Sequence, residues 1–427
     1  MKYNVLLLGN GGREHAIAWK LSQSEKLDTL YIAPGNTGTR QYGINVNIDL
    51  LDFEAVAKFT EEHDIELVVV GPEKPLVEGI KDFLEKKDIP VFGPGRKAAL
   101  LEGSKEFAKN FMVKYDIPTA DYEVFAASDY DDALKFIQLR DIYPVVLKAD
   151  GLASGKGVFI CYSEEEVKQQ LIAIKKDPVL SAAASRLVVE EFLQGEEASV
   201  FVLSDGHTFH ILHNAQDHKR AGEGDTGPNT GGMGCYSPAP VVSDEVLQEI
   251  KEKIINPTIT GMQLEEAAYS GVLYVGLIIT GNGPKVIEYN CRLGDPECQV
   301  ILPSLNNDLL DLMLSTTQQT LDEKTIQVDS VYRCCVVLAS GGYPGSYQKG
   351  LEISGLDSVD PSLLIFHAGV EEKDNRLITS GGRVLNVVGS GATLKEAIDH
   401  AYSEIHKISF ENLYYRKDIG FKGLQRF

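Results

Sequence analysis

Residues 285–299, KVIEYNCRLGDPECQ, set hard oxygen donors close to an arginine. Strand alternation sends Glu288 and Asn290 to one face, where two such donors suit a Mg²⁺ ion that keeps water and phosphate in the rest of its shell. Arg292 and Asp295 follow on the next loop. An arginine there can hold a carboxylate or a phosphoryl group in transit, or close a salt bridge with a neighbouring acid. A second stretch, KADGLASGKGV at 148–158, places a glycine and serine loop between Lys148 and Lys156, and its N–H groups and ammonium charges can fold over a triphosphate. It lacks the Walker order, because Gly155, Lys156 and Gly157 lead into the β-prone run VFI; a hairpin that merely turns is the competing reading. The run VVEEFLQGEEASV at 188–200 reads as a strand entering an exposed connection. Its backbone can bond an adenine edge and its glutamates ribose hydroxyls, although alone it is a charged turn.

Three further segments are rich in glycine. GNGGREHA at 9–16 follows a strand, and its freed N–H groups with the positive end of the next helix make a phosphate cradle, or else only a tight turn. Glu14 stands where the dinucleotide fingerprint needs its third glycine, which argues against NAD or FAD. The loops PGNTGT at 34–39, with Asn36 and Gly38, and GPEKPL at 71–76, with Pro72 and Glu73, fall at strand ends of the same sheet. Loops so placed converge on one crevice, which suits a small phosphorylated metabolite. Glu73 there would bind sugar hydroxyls or a cationic amine. Residues 217–240, DHKRAGEGDTGPNTGGMGCYSPAP, mix Asp, His, Lys, Arg and Asn among glycines with neither helical nor strand periodicity. That mixture marks an irregular binding loop rather than a linker.

The elements that must position these residues follow from the rest of the chain. A length of 427 residues implies two to four domains, and 43% hydrophobic with 24% charged content is that of a soluble globular protein. The formal charge of −21 repels nucleic acid and anionic membranes, so an anionic substrate needs a local positive pocket. The N-terminus lacks the apolar length of a signal peptide or a spanning helix, which makes the cytoplasm the expected location. The six scattered cysteines read as free thiols. Up to about residue 100, strand runs at 4–8, 30–33, 67–70 and 91–92 alternate with helical stretches at 15–21, 55–63 and 76–86, a rhythm that predicts a parallel sheet with helices on both faces. Helical periodicity at 97–115 gives way to an inserted, mobile unit with a helix at 164–175 and a strand at 187–190. Strands at 198–203 and 208–213, a helix at 245–264, and strands at 272–280 and 285–289 come next. The remainder, from about residue 329, reads as mainly strands with one helix at 394–408.

Taken in order, GNGGREHA, VLKADGLASGKGV, QDHKR with GDTGPNTGGMG and YSPAP, KVIEYNCRLGDPE and the terminal YRKDIG resemble the phosphoribosylamine glycine ligase (glycinamide ribonucleotide synthetase) family of ATP-grasp enzymes. The resemblance covers essentially the whole chain. It implies an α/β and α+β multidomain protein: an N-terminal Rossmann-like parallel sheet (1–102), a central ATP-grasp domain (103–325) with an inserted lid at about 120–190, and a small C-terminal mixed α/β domain (326–427). It implies ATP-dependent joining of glycine to 5-phosphoribosylamine through glycyl phosphate in purine biosynthesis, yielding glycinamide ribonucleotide, ADP and phosphate. A lid that excludes water would protect the labile acyl phosphate.

By the same resemblance, Lys105 and Lys148 contact ATP phosphates, Gly155, Lys156 and Gly157 cover them, Glu190 with the Phe192 and Leu193 backbone receives adenine, and Glu197 binds ribose. Glu288 and Asn290 hold Mg²⁺ or Mn²⁺. Asp217 grips the ammonium and Arg292 the carboxylate of glycine, with Lys148 completing the catalytic set. Gly11 and Gly12 cradle the sugar phosphate, with Asn36, Gly38, Pro72, Glu73 and Asp295 completing the substrate site. No carboxylate stands in 272–280, so a second ion would rest on ATP oxygens and water. A monomer without nucleic-acid or membrane partners is expected. Competing functions are a sister ligase for another carboxylate and amine, an oxidoreductase, which would explain only the first hundred residues, and a non-catalytic nucleotide-binding regulator.

Overall fold

Val5–Leu8 and Leu67–Val70 are apolar at every position and almost wholly buried, the pattern of central strands covered on both faces. The computed structural model, which describes residues 2–151, 157–177 and 186–426, places them in a five-stranded parallel sheet. Its order is Ile44–Asn45, Leu27–Pro34, Tyr3–Gly9, Leu67–Val70, Val91–Phe92. Gly9 pairs with Pro34 and Leu8 with Val70, so the three glycine-rich loops leave the sheet side by side at its carboxyl end, as the sequence predicts. Two expected helices are each divided. The stretch at 76–86 becomes Glu73–Glu78 and Ile80–Glu85, broken at Gly79, whose φ of 95° ends the first. The stretch at 97–115 becomes Arg96–Gly103 and Lys105–Lys114, because the Ser104 hydroxyl caps the second by accepting from the Phe107 N–H at 3.1 Å.

A four-stranded antiparallel sheet follows, in the order Tyr122–Ala126, Arg186–Glu191, Val145–Ala149, Val158–Cys161. The helices Tyr130–Arg140 and Glu164–Lys176 cover it, and a core of its own, with Leu147, Val167, Ile174 and Val189, marks it as a separate module.

The largest sheet has nine strands. Gly283–Asn290, Ser270–Thr280, Glu196–Asp205 and Phe209–Asp217 form one end; Tyr332–Ser340, Arg383–Gly391, Leu364–His367 and the short Leu413–Tyr414 form the other. Gly234–Ser237 joins the two halves, pairing with Phe209–Asp217 on one side and Tyr332–Ser340 on the other. This corrects the irregular loop expected at 217–240. The segment contains that strand and a hairpin, Arg220–Gly222 against Thr226–Asn229. Cys235 and Tyr236 are fully buried, but the glycines and prolines beside this short apolar run hide its strand character. Gly234 must be glycine, since its φ is 151° and a Cβ would meet the Cys335 carbonyl at 2.5 Å.

The helix expected at 245–264 runs as Asp244–Ile250, a π-helical turn Lys251–Ile255, and Asn256–Leu264, with Pro257 interrupting the regular ladder. The helix expected at 394–408 stops at Ser403 and continues as a 3₁₀ turn, Ile405–Lys407. Two helices, Cys298–Ser304 and Leu309–Thr317, were not anticipated: their buried residues lie on nearly every side, which erases the amphipathic signal. Among the described residues no helix is long and apolar enough to cross a membrane.

Candidate active site

The four-stranded and nine-stranded sheets face each other across a cleft of about 630 Å³ that also reaches the carboxyl end of the N-terminal sheet. Lys148, Glu288 and Arg292, taken from separate stretches of sequence, all line it.

At one end, Lys148 on Val145–Ala149 and Lys109 on Lys105–Lys114 converge on a single Glu190 oxygen, at 2.9 and 3.0 Å. Lys148 also donates to the Ile287 carbonyl at 3.2 Å. The second Glu190 oxygen, Oε1, is buried with no partner among the described residues, an acceptor suited to a donor from a bound ligand. Burial pulls the Lys109 ammonium down to about 8 although Glu190 opposes the shift. Burial also lowers Lys105, against the pull of Glu288, and its ammonium meets the carbonyls of Asp150 and Gly151 at 3.4 and 3.3 Å. Phe192 and Leu193 line the cleft, as do the apolar Met112, Val146, Ile160 and Leu277. Glu197 lines it too and pairs with Lys219 at 3.3 Å. Gly157 lines the cleft, whereas Gly155 and Lys156 lie outside the described residues.

At the other end, Glu288 and Asn290 project from Gly283–Asn290 into the cleft, and the Asn290 oxygen accepts from Arg292 at 3.2 Å. Arg292 is held by Glu102 at 2.9 Å and Glu73 at 3.3 Å. The Glu102 carboxylate also accepts from the Cys291 N–H at 2.7 Å. Burial raises the Glu102 pKa more than Arg292 restores, while Arg292 and Arg13 keep Glu73 below the usual range despite burial. Asp217 ends its strand buried, 3.0 Å from Lys219. Burial raises its pKa, and Glu197 and Glu288 add to the shift. Burial and Asp217 push the Glu297 carboxyl up to about 7.

Asp295 accepts from Gln299 at 2.8 Å and faces Arg383 at 3.4 Å; Arg383 also donates to the Gly231 and Asp295 carbonyls, each at 2.6 Å. Burial opposes charge on Asp295, but Arg383 and Arg13 hold its pKa below the usual range. Arg383 begins the strand Arg383–Gly391, so the C-terminal part of the chain supplies one wall of the cleft.

The N-terminal loops are organised around Glu14. Its carboxylate accepts from the Gly11 N–H at 2.6 Å and from Arg13 at 2.6 Å, and a Cβ on Gly9 would lie 2.5 Å from its carbon atoms. The Gly11 N–H expected to meet a phosphate is thus engaged by Glu14, while a Cβ on Gly11 would come within 3.2 Å of Asp295. Gly12 packs against Asn386 and Gln299. Asn36 pins its own loop, donating to the Asn10 and His367 carbonyls at 2.9 Å and accepting from the Gly38 and Thr39 N–H groups. Gly38 leaves room for the His15 ring, and Pro72 caps the helix Glu73–Glu78. These five residues stand behind the cleft lining rather than in it.

Sequence reasoning missed Lys109, Glu102, Lys219, Glu297 and Arg383. Lys105 and Lys109, four apart on one helix face, offered a signal for the first. Lys219 belongs to the quoted QDHKR run, but Glu102 and Arg383 sit in ordinary sequence. The terminal YRKDIG motif now has a place: Arg416, fully buried, pairs with Asp225 at 2.8 Å and Asp418 at 2.7 Å, and donates to the Arg220 carbonyl at 3.0 Å. It fastens the hairpin 220–229, whose Asp225 and Asn229 line the cleft.

Two facing β-rich modules with lysines from one and acidic and amide oxygens from the other define an ATP-grasp protein. The same fold appears in the biotin carboxylase domain of Hydrogenobacter thermophilus 2-oxoglutarate carboxylase, with a TM-score of 0.74 over 97% of this chain and 92% of that one at 17% identity. Models of the N, ATP-grasp and C domains of phosphoribosylglycinamide synthetase match residues 3–102, 103–298 and 333–422, and the chain belongs to that family. The phosphoribosylamine–glycine ligase of Agrobacterium fabrum is 47% identical over 424 residues, 99% of each chain. The crystal structure of the Thermotoga maritima phosphoribosylamine–glycine ligase is 36% identical, with a TM-score of 0.82 over 97% of this chain and 100% of that one.

Proposed function

We propose that the chain joins glycine to 5-phosphoribosylamine at the expense of ATP, giving glycinamide ribonucleotide, ADP and phosphate. The observation that carries this reading is one cleft holding a lysine and glutamate nucleotide end and an arginine and carboxylate transfer end. Adenine lies beside Phe192 and Leu193 with the free Glu190 oxygen facing it, Glu197 meets the ribose, and Lys105, Lys148, Gly155, Lys156 and Gly157 meet the phosphates. Among the described residues no group of three or more His, Cys, Asp or Glu side chains is placed to hold a metal. Two oxygen donors on one strand face nevertheless fit Mg²⁺ or Mn²⁺ that keeps water and phosphate ligands. Glu288 and Asn290 would hold the ion, which when bound neutralises phosphate charge.

A carboxylate is a poor electrophile. Arg292 turns the glycine carboxylate toward the γ-phosphorus, and Lys105 and Lys148 neutralise the oxygens as the phosphoryl group moves to it. Asp217 holds the glycine ammonium. Phosphoribosylamine occupies the part of the cleft backed by the Gly11–Gly12 turn, whose neighbouring loops Asn36, Gly38 and Pro72 fix, with Glu73 lining the cleft and Arg13, Asp295 and Arg383 bringing charge. Its amine attacks the glycyl phosphate carbonyl and phosphate leaves. The chain is read as three domains, 1–102, 103–325 and 326–427, with the lid at about 120–190 excluding water, acting as a cytoplasmic monomer without nucleic-acid or membrane partners.

The test is phosphate release from ATP, Mg²⁺, glycine and phosphoribosylamine. Release that stops when any one is withheld supports the reading, and equal release without glycine or without the sugar amine overturns it.

A further inference from the structure

Glu297 heads the helix Cys298–Ser304 and lines the cleft, yet it is only 3% exposed. It packs against Gly294, where a Cβ would collide with its carboxylate. Among the described residues no other residue donates a hydrogen bond or ion pair to that carboxylate, which meets only its own backbone N–H. A buried carboxylate in that state is costly and calls for a cation. The nearby cations are committed elsewhere: Lys219 to Asp217 at 3.0 Å and Glu197 at 3.3 Å, Arg292 to Glu102 at 2.9 Å and Glu73 at 3.3 Å. Two buried carboxylates that line the cleft, Asp217 and Glu297, therefore feel each other, while the cations beside them are already paired.

We infer that Glu297 completes with Asp217 a two-carboxylate seat for the ammonium group of the amino-acid substrate, and thereby selects an amino acid over a carboxylic acid that lacks the amine. This rests on the ligase reading above. An ammonium offers three donors, more than Asp217 alone satisfies while it also accepts from Lys219. Charge-assisted bonds to both carboxylates would hold the molecule by the end remote from phosphoryl transfer.

Glycolate, which keeps the carboxylate and replaces the ammonium with a hydroxyl, separates this role from a structural one. In E297Q the KM for glycine rises by about tenfold or more, as for truncation of a buried charge pair, while the inhibition constant of glycolate against glycine moves less than about twofold. E297D, which keeps the charge on a shorter arm, retains more of the preference for glycine. Equal shifts for both ligands, no shift for either, or a fall confined to kcat, as for a general base acting on the sugar amine, would overturn the inference. Retained ATP affinity reports that E297Q folds; if it does not, the same glycine and glycolate comparison on E297D decides. A wild-type enzyme without glycine-dependent phosphate release would instead overturn the ligase reading itself.

Discussion

Arg292 owes its aim to two carboxylates contributed by other parts of the chain, Glu102 and Glu73. Removing Glu102 frees half of that grip and strands the buried Cys291 N–H. For E102A, kcat/KM for glycine is expected to fall by about tenfold or more, with ATP affinity within about twofold, read by phosphate release and nucleotide titration. Glu297 gives the site a pH dependence. Its carboxyl rises from an ordinary value of 4.5 to about 7 on folding, with burial and Asp217 raising it and Lys219 and Arg292 opposing. The folded state therefore binds the extra proton, and this group's contribution to stability falls as pH climbs from 4.5 through 7. The unliganded E297Q protein should melt higher than wild type at pH 8 and level with it near pH 5, measured by thermal unfolding. An unchanged difference across that range would show that Glu297 does not titrate there.

Among the elements, the hairpin Arg220–Gly222 and Thr226–Asn229 matters most, because it lines the cleft but is held from outside it. Arg416 is buried between Asp225 and Asp418, and breaking such a network by removing one partner costs about 3 kcal/mol. R416A is expected to speed amide exchange throughout 220–229 and raise the glycine KM while the parallel N-terminal sheet keeps its protection, measured by hydrogen exchange and steady-state kinetics. The N-terminal strands were legible because Val5–Leu8 and Leu67–Val70 are apolar without interruption. The strand Gly234–Ser237 was not, since a four-residue run among glycines and prolines carries too little periodicity. The helices Cys298–Ser304 and Leu309–Thr317 escaped for the opposite reason, apolar residues on nearly every side. The site divides in the same way. Lys148, Asp217, Glu288, Asn290 and Arg292 stand in dense polar runs, whereas Glu102 and Arg383 enter the cleft only because the fold brings distant segments to it.

At the scale of the molecule, the nine-stranded sheet carries the chain from the cleft into its C-terminal part through Gly234–Ser237. The N-terminal sheet docks on the same body: Lys20 donates to the Leu305 carbonyl at 2.5 Å, Arg13 to that of Leu293 at 3.2 Å, and the His367 N–H to His15 at 2.7 Å. Three sections of sequence thus enclose one space in which an unreactive carboxylate is activated and captured. The most direct test follows an oxygen atom. With glycine labelled by ¹⁸O at both carboxylate oxygens, passage through glycyl phosphate transfers a single label to each inorganic phosphate released and leaves the other in the product amide. Mass spectrometry of the phosphate should find that label in step with turnover. Turnover that leaves the phosphate unlabelled would contradict the account.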